Sequence, residues 1–88
     1  MTDAELIDAM PVTQYLIMDT LAARWRLGEE FWTFPRKVMP MLRKLSDEGW
    51  VHWQGGVNQG TVVASLTHRG MKATLTPSYR FGKAWTDE

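Results

Sequence analysis

The apolar residues of this 88-residue chain change their period at Gly49. Upstream, in FPRKVMPMLRKLSDEGWV (residues 34–51), Val38, Leu42 and Leu45 recur at spacings of three and four and share one side of a helical wheel at about 100° per residue. Gly49 closes that run, in the place where a helix turns into the left-handed region. Downstream, WVHWQ (50–54) and TVVASL (61–66) are short β-branched and aromatic runs joined by GGVNQG (55–60), the pattern of a hairpin with a glycine-rich, uncharged tip. A helix that stops at a glycine and leads straight into a hairpin limits the chain to an α+β fold.

The same helix has a second face. Arg36, Pro40, Arg43 and Lys44, with Lys37 at the edge, fall opposite the apolar stripe, so one side is anchored and the other is offered to something negatively charged. Pro40 sets the boundary, because a proline deep in a helix costs roughly 3 kcal/mol and one in the first turn costs nothing. Either the helix begins near Lys37 or Val38, or it begins at Pro35 and bends at Pro40. It ends at Glu48.

Before that helix the chain holds two others. Residues 3–10 contain good helix formers interrupted by Pro11, either a frayed turn or a small lead-in helix. Over residues 12–26, Tyr15, Met18, Leu21, Ala22 and Trp25 form a stripe that predicts a full helix, and Leu16 and Ile17 widen its apolar arc. Gly28 breaks it, and residues 29–33 are expected as a short second helix with Glu29 and Glu30 near its positive end. Phe31, Trp32 and Phe34 then plug the core between helices. After the hairpin, Leu66 ends a strand, Thr67 caps a last helix running to Leu75, and Thr76 and Pro77 end it. The organisation read from this is a lead-in at 1–11, a domain at 12–75 and an aromatic tail at 76–88.

Net charge is zero, but it is unevenly distributed. Residues 1–34 carry six acids against two bases, and residues 35–83 carry eight bases against two acids, with Asp87 and Glu88 restoring the balance. A polarised chain either meets an anionic partner with its basic half or merely keeps that surface in water. Other chemistry has little support. There are no cysteines, so neither disulfides nor thiolate sites arise. His52 and His68 lack a carboxylate at ligand spacing, which argues against zinc. Glu29 and Glu30 point about 100° apart on a helix and cannot share a substrate, and Ser46, Ser65 and Ser78 have no base partner. No phosphate-cradling glycine motif is present. The expectation is a protein that is not an enzyme and needs no cofactor or metal. No apolar stretch approaches the roughly 18 residues of a membrane span, and the acidic N-terminus is unlike a signal peptide, so a cytoplasmic location is expected, without membrane contact.

The ordered set of pieces resembles the winged helix-turn-helix family of DNA-binding regulators. Those pieces are a helix, a short helix, a helix ending L-x-x-L-x-x-x-G-W-V (Leu42, Leu45, Gly49, Trp50, Val51), a hairpin, and L-T-x-x-G (Leu66, Thr67, Gly70). The spacing is similar to that of small winged-helix proteins of actinobacterial phages. The resemblance implies three helices, a two-stranded wing and a C-terminal helix, with the third helix in the major groove of double-stranded DNA and the wing along the backbone or in the minor groove. Carried over by position, Arg36, Lys37, Arg43 and Lys44 would contact the groove and phosphates, Pro40 and Met39 would approach base edges, and His52, Asn58 and Gln59 would contribute from the wing. Proline and methionine are departures from the polar residues usual there, the tip lacks the basic residues that would favour backbone contact, and Asp47 on the same face would repel phosphate. A regulator of transcription, often dimeric in this family, is one outcome. The other keeps the fold and binds a host or regulatory protein, which Met39, Pro40, Met41 and the uncharged wing would suit. Tyr79, Phe81 and Trp85 in the tail would dock on the domain, pack on a second protomer, or form an arm on DNA.

Overall fold

The computed structural model describes residues 2–75, so the expectations placed on the tail at 76–88 lie outside the described residues. Helix α1 (Asp3–Asp8) exists because of a reciprocal cap: the Glu5 N–H donates to Thr2 Oγ1, and the Thr2 N–H donates to Glu5 Oε1, both at 3.2 Å. The T-x-x-E spacing is the sequence sign of such a box. Its Ile7 is fully buried, so the lead-in segment belongs to the core.

Helix α2 (Val12–Arg26) has the bounds expected. Tyr15, Met18, Leu21 and Ala22 are buried, as is Ile17, which packs the widened arc. That arc meets α1 on one side and the sheet and two further helices on the others. The helix ends where the Glu29 N–H reaches back to the Arg24 carbonyl at 2.9 Å.

The short helix expected at 29–33 does not form. Residues Trp32–Pro35 are instead a strand, β1, paired antiparallel with β3 (Thr61–Leu66) in the register Trp32↔Ala64 and Phe34↔Val62. Period two decides it: Phe34 is buried, Thr33 and Pro35 are exposed, and Trp32 packs partly against the core. Phe31, assigned to the core plug, is 55% exposed. Pro35 is tolerated because β1 is an edge strand.

A 3₁₀ turn at Arg36–Val38 leads into α3 (Met39–Asp47), which begins after Lys37 and Val38 and places Pro40 within its first turn. The proline N–H would have had no partner there in any case. Leu42 and Leu45 are fully buried, each worth about 1.5–3 kcal/mol by the usual transfer scale. Gly49 takes φ +85°, and the Trp50 N–H donates to Leu45 O at 2.9 Å, the double-bonded helix end that glycine permits.

Strand β2 (Val51–Gly55) then pairs with β3, giving one three-stranded sheet in the order β1-β3-β2. Val51, Val62, Ala64 and Leu66 face the helices and are buried. Thr67 caps α4 (His68–Thr74) by accepting from the Gly70 N–H at 3.0 Å, and its hydroxyl lies 2.6 Å from the Gly49 carbonyl. One residue thus fastens the start of α4 to the end of α3. Among the described residues no helix is long and apolar enough to cross a membrane.

Candidate nucleic-acid interface

The exposed side of α3 and its preceding turn is built by the same periodicity that buries the other side. Arg36 and Lys37 stand on the 3₁₀ turn, and Pro40, Arg43 and Lys44 follow on α3, all exposed. Among the described residues no carboxylate lies within 4.0 Å of any of these four cations, whereas Arg24 pairs with Glu29 and Arg69 with Asp3. Charges left in water without partners are the ones that can exchange a counterion for a phosphate. Asp47 is exposed on the same face and Glu48 follows it, so the C-terminal end of the face is less positive than its start.

Met39 does not belong to this surface. It is 9% exposed and packs in the core with Leu42 and Leu45. On the wheel it lies some 60° from Leu42, inside an apolar arc that is wider than Val38, Leu42 and Leu45 alone define. Pro40 is left as the exposed apolar residue at the N-terminal end of the face.

The two flanks of α3 differ. On the β2 side, the Arg43 guanidinium lies 5.9 Å from the centroid of the Trp53 ring, within range of a weak cation–π attraction. Trp53 shares the sheet face of buried Val51, two residues along, yet is 40% exposed, because it lies farther along β2. It joins the wing strand to the basic face. The sequence signal was present in the period-two spacing from Val51; what it could not show was that a helical arginine would lie against the ring. On the other flank, Lys44 borders a groove shared with α1 and α2.

His52 is exposed but alternates with buried Val51, so it lies on the sheet face turned away from the helices, opposite Ser65. The structure therefore does not bring it together with the α3 cations. Asn58 and Gln59 are exposed at the tip, where the Asn58 carbonyl accepts from the Thr61 N–H at 3.1 Å and from its hydroxyl at 2.8 Å. That closes the turn and leaves Val57 fully exposed.

Arg69, which sequence reasoning did not single out, is spoken for. It donates to both Asp3 carboxylate oxygens at 3.2 and 3.1 Å and to Glu48 O at 2.6 Å, and it lies over the Trp50 ring at 3.9 Å. Its hydrogen bonds hold the Asp3 carboxyl below the usual carboxylate value, and Asp3 in turn raises Arg69. It is a clamp between α1, α3 and α4 rather than a phosphate contact. Among the described residues no group of three histidines or acids could hold a metal ion. Comparison with protein-family models, with curated proteins and with solved structures finds no match to this chain.

Proposed function

We propose that the chain is a winged-helix protein that binds double-stranded DNA, entering the major groove with the exposed face of α3 and following the backbone with the hairpin, and that it regulates transcription as a phage-encoded protein in the host cytoplasm. The observation that carries this reading is the exposed quartet Arg36, Lys37, Arg43 and Lys44, free of carboxylate partners among the described residues, on an element whose opposite face is core. Two further features support it: α3 runs through Gly49 directly into the hairpin, and the L-T-x-x-G segment caps the next helix. The arrangement departs from the expected pattern in two respects: a strand and a single 3₁₀ turn occupy the interval where a helix-turn-helix has its first helix, and that strand makes the expected two-stranded hairpin part of a three-stranded sheet. The backbone-crossing duty of that helix then falls to Arg36 and Lys37 in the turn.

A second reading, docking to a host or regulatory protein, is favoured by the exposed Trp53 and Val57, apolar groups of the kind that protein partners cover. Fluorescence anisotropy of a labelled mixed-sequence duplex at rising salt separates the two. With four phosphate contacts per protomer, the slope of log K against log salt should be about −3.6. Arg43→Ala with Lys44→Ala should bring it to about −1.8, while the melting temperature stays unchanged, because both side chains are exposed. Binding that ignores both substitutions would remove α3 as the contacting element, and absence of binding at low salt would favour the protein partner. A dimer, which sedimentation would show, would double the slope and raise affinity through linked sites.

A further inference from the structure

Strand β1 forms one edge of the sheet and turns half of its peptide groups away from it. The Arg36 N–H donates to Gly60 O at 2.9 Å, and the register Phe34↔Val62 and Trp32↔Ala64 continues that pairing in steps of two. Bonded pairs alternate with unbonded ones in an antiparallel ladder, so Trp32 and Phe34 direct their peptide groups at β3 while Phe31, Thr33 and Pro35 direct theirs outward. All three of these residues are exposed. The opposite edge is less open: counted in the same way from the Thr67 N–H bond to Trp50 O, Val51 faces outward on β2, and it is 1% exposed.

Charge around the β1 edge is self-complementary. Glu29 and Glu30 precede the strand, and Arg36 and Lys37 follow it. Glu29 is held by Arg24 at 3.4 Å, whereas Glu30 and Arg36 are exposed and have no ion pair among the described residues. When two copies of β1 lie antiparallel about a two-fold axis at Thr33, Thr33 meets Thr33, Phe31 meets Pro35, and Glu30 meets Arg36. A parallel alignment in the same register sets Glu30 on Glu30 and Arg36 on Arg36. The flanking charges therefore select an antiparallel copy of the same strand.

We propose that the chain forms a two-fold dimer by antiparallel pairing of β1 with β1 of a second copy, which joins the two three-stranded sheets into one. The Thr33 N–H of each copy donates to Thr33 O of the other, and the Phe31 N–H of each donates to Pro35 O of the other. Pro35 has no N–H to return, so the ladder ends there and the pairing stays short. Across the strands Phe31 lies beside Pro35, which covers a ring that is 55% exposed in the single chain, and Glu30 lies beside Arg36 at both ends. Each β1 edge is closed by the other, so the contact does not propagate into a filament. It is small, which makes the dimer weak and reversible. Arg36 also belongs to the face proposed for DNA, where a duplex competes for it. The pairing does not rest on the DNA reading and is measured without DNA, so the failure of either leaves the other standing.

The experiment is sedimentation equilibrium of the full chain at low salt and rising concentration, with ¹⁵N NMR of the same dilution series. The wild type should shift from monomer to dimer by about 1 mM, and the Phe31 and Thr33 amides should move with concentration. Glu30→Arg and Arg36→Glu should each weaken the dimer about tenfold, because the two-fold axis makes every charge reversal act twice, and the two together should restore it. Both side chains are exposed, so the variants keep the fold. A monomer at every concentration, shifts centred on Trp53 at the other edge, a dimer indifferent to both reversals, or no recovery in the double variant would overturn the proposal. A Thr33 amide protected from exchange equally at all concentrations would also overturn it, by giving the edge to another segment of the same chain.

Discussion

Gly70 shows how much a single residue can depend on a neighbour far away in sequence. A Cβ at this position would collide with the Trp50 carbonyl oxygen and press on Leu66, because Thr67 draws the start of α4 against the residues that follow α3. Gly70→Ala is therefore expected to cost about 1–3 kcal/mol as an overpacking change, read as a lower midpoint in urea with an unchanged slope. The L-T-x-x-G pattern was legible in the sequence, and so was the capping role of its threonine. The reason for the glycine was not, because it lies in a backbone approach between segments that no local pattern reports. Met39 taught a similar lesson at the interface. Adjacent to Pro40 in sequence, it is turned into the core by about 100° of helical rotation, while the proline stays exposed.

At the scale of elements, local signals succeeded where each element carried its own stop. The bounds of α2 were readable because Pro11 and Gly28 bracket an apolar stripe, and α3 because Pro40 and Gly49 do the same for the shorter one. The strand β1 was not readable. Its apolar run is too short to separate period two from period 3.6, the acids before it suggested a helix start, and its partner strand lies on the far side of α3 and β2. Arg24 adds a fastening that sequence could not reveal, lying over the Trp32 ring at 3.6 Å and pairing with Glu29 at 3.4 Å. The clamp on α1 gives a pH prediction. Asp3 is held below its ordinary value chiefly by the Arg69 hydrogen bond, so its stabilising contribution is fully present above the unfolded carboxylate value and is lost as pH falls through the folded one. The pair is exposed, so the effect is small. Melting temperatures of the wild type and Asp3→Asn should differ at about pH 6 and converge toward about pH 3; equal melting temperatures at both would remove the ion pair from the docking of α1, and a gap independent of pH would show that the charge of Asp3 is not what matters.

For the molecule as a whole, the charge reading made from sequence keeps its meaning only in part. Among the described basic residues of the second half, Arg36, Lys37, Arg43 and Lys44 lie on the exposed face of α3 and its preceding turn, Arg69 is a clamp and Lys72 is exposed on α4, so fewer cations share one surface than the tally suggested. The groove beside Lys44 was invisible for a related reason: it is assembled from α1, α2, α3 and α4, and no stretch of the chain contains more than a fragment of it.

The sheet order β1-β3-β2 also sets a sequence of events in time. The β2–β3 hairpin closes through the short turn at 56–60, whereas β1 reaches β3 only after residues 36–60 have been gathered between them. Closing the longer loop costs more chain entropy before any pairing rewards it, so β1 is expected to join last. Stopped-flow folding should then find Phe34→Leu acting mainly on the unfolding rate, with φ of about 0–0.3, and Leu66→Ala slowing folding, with φ above about 0.5. The strand hidden from sequence inspection is thus the one the chain itself finds late, and in both cases the cause is the distance along the chain to its partner.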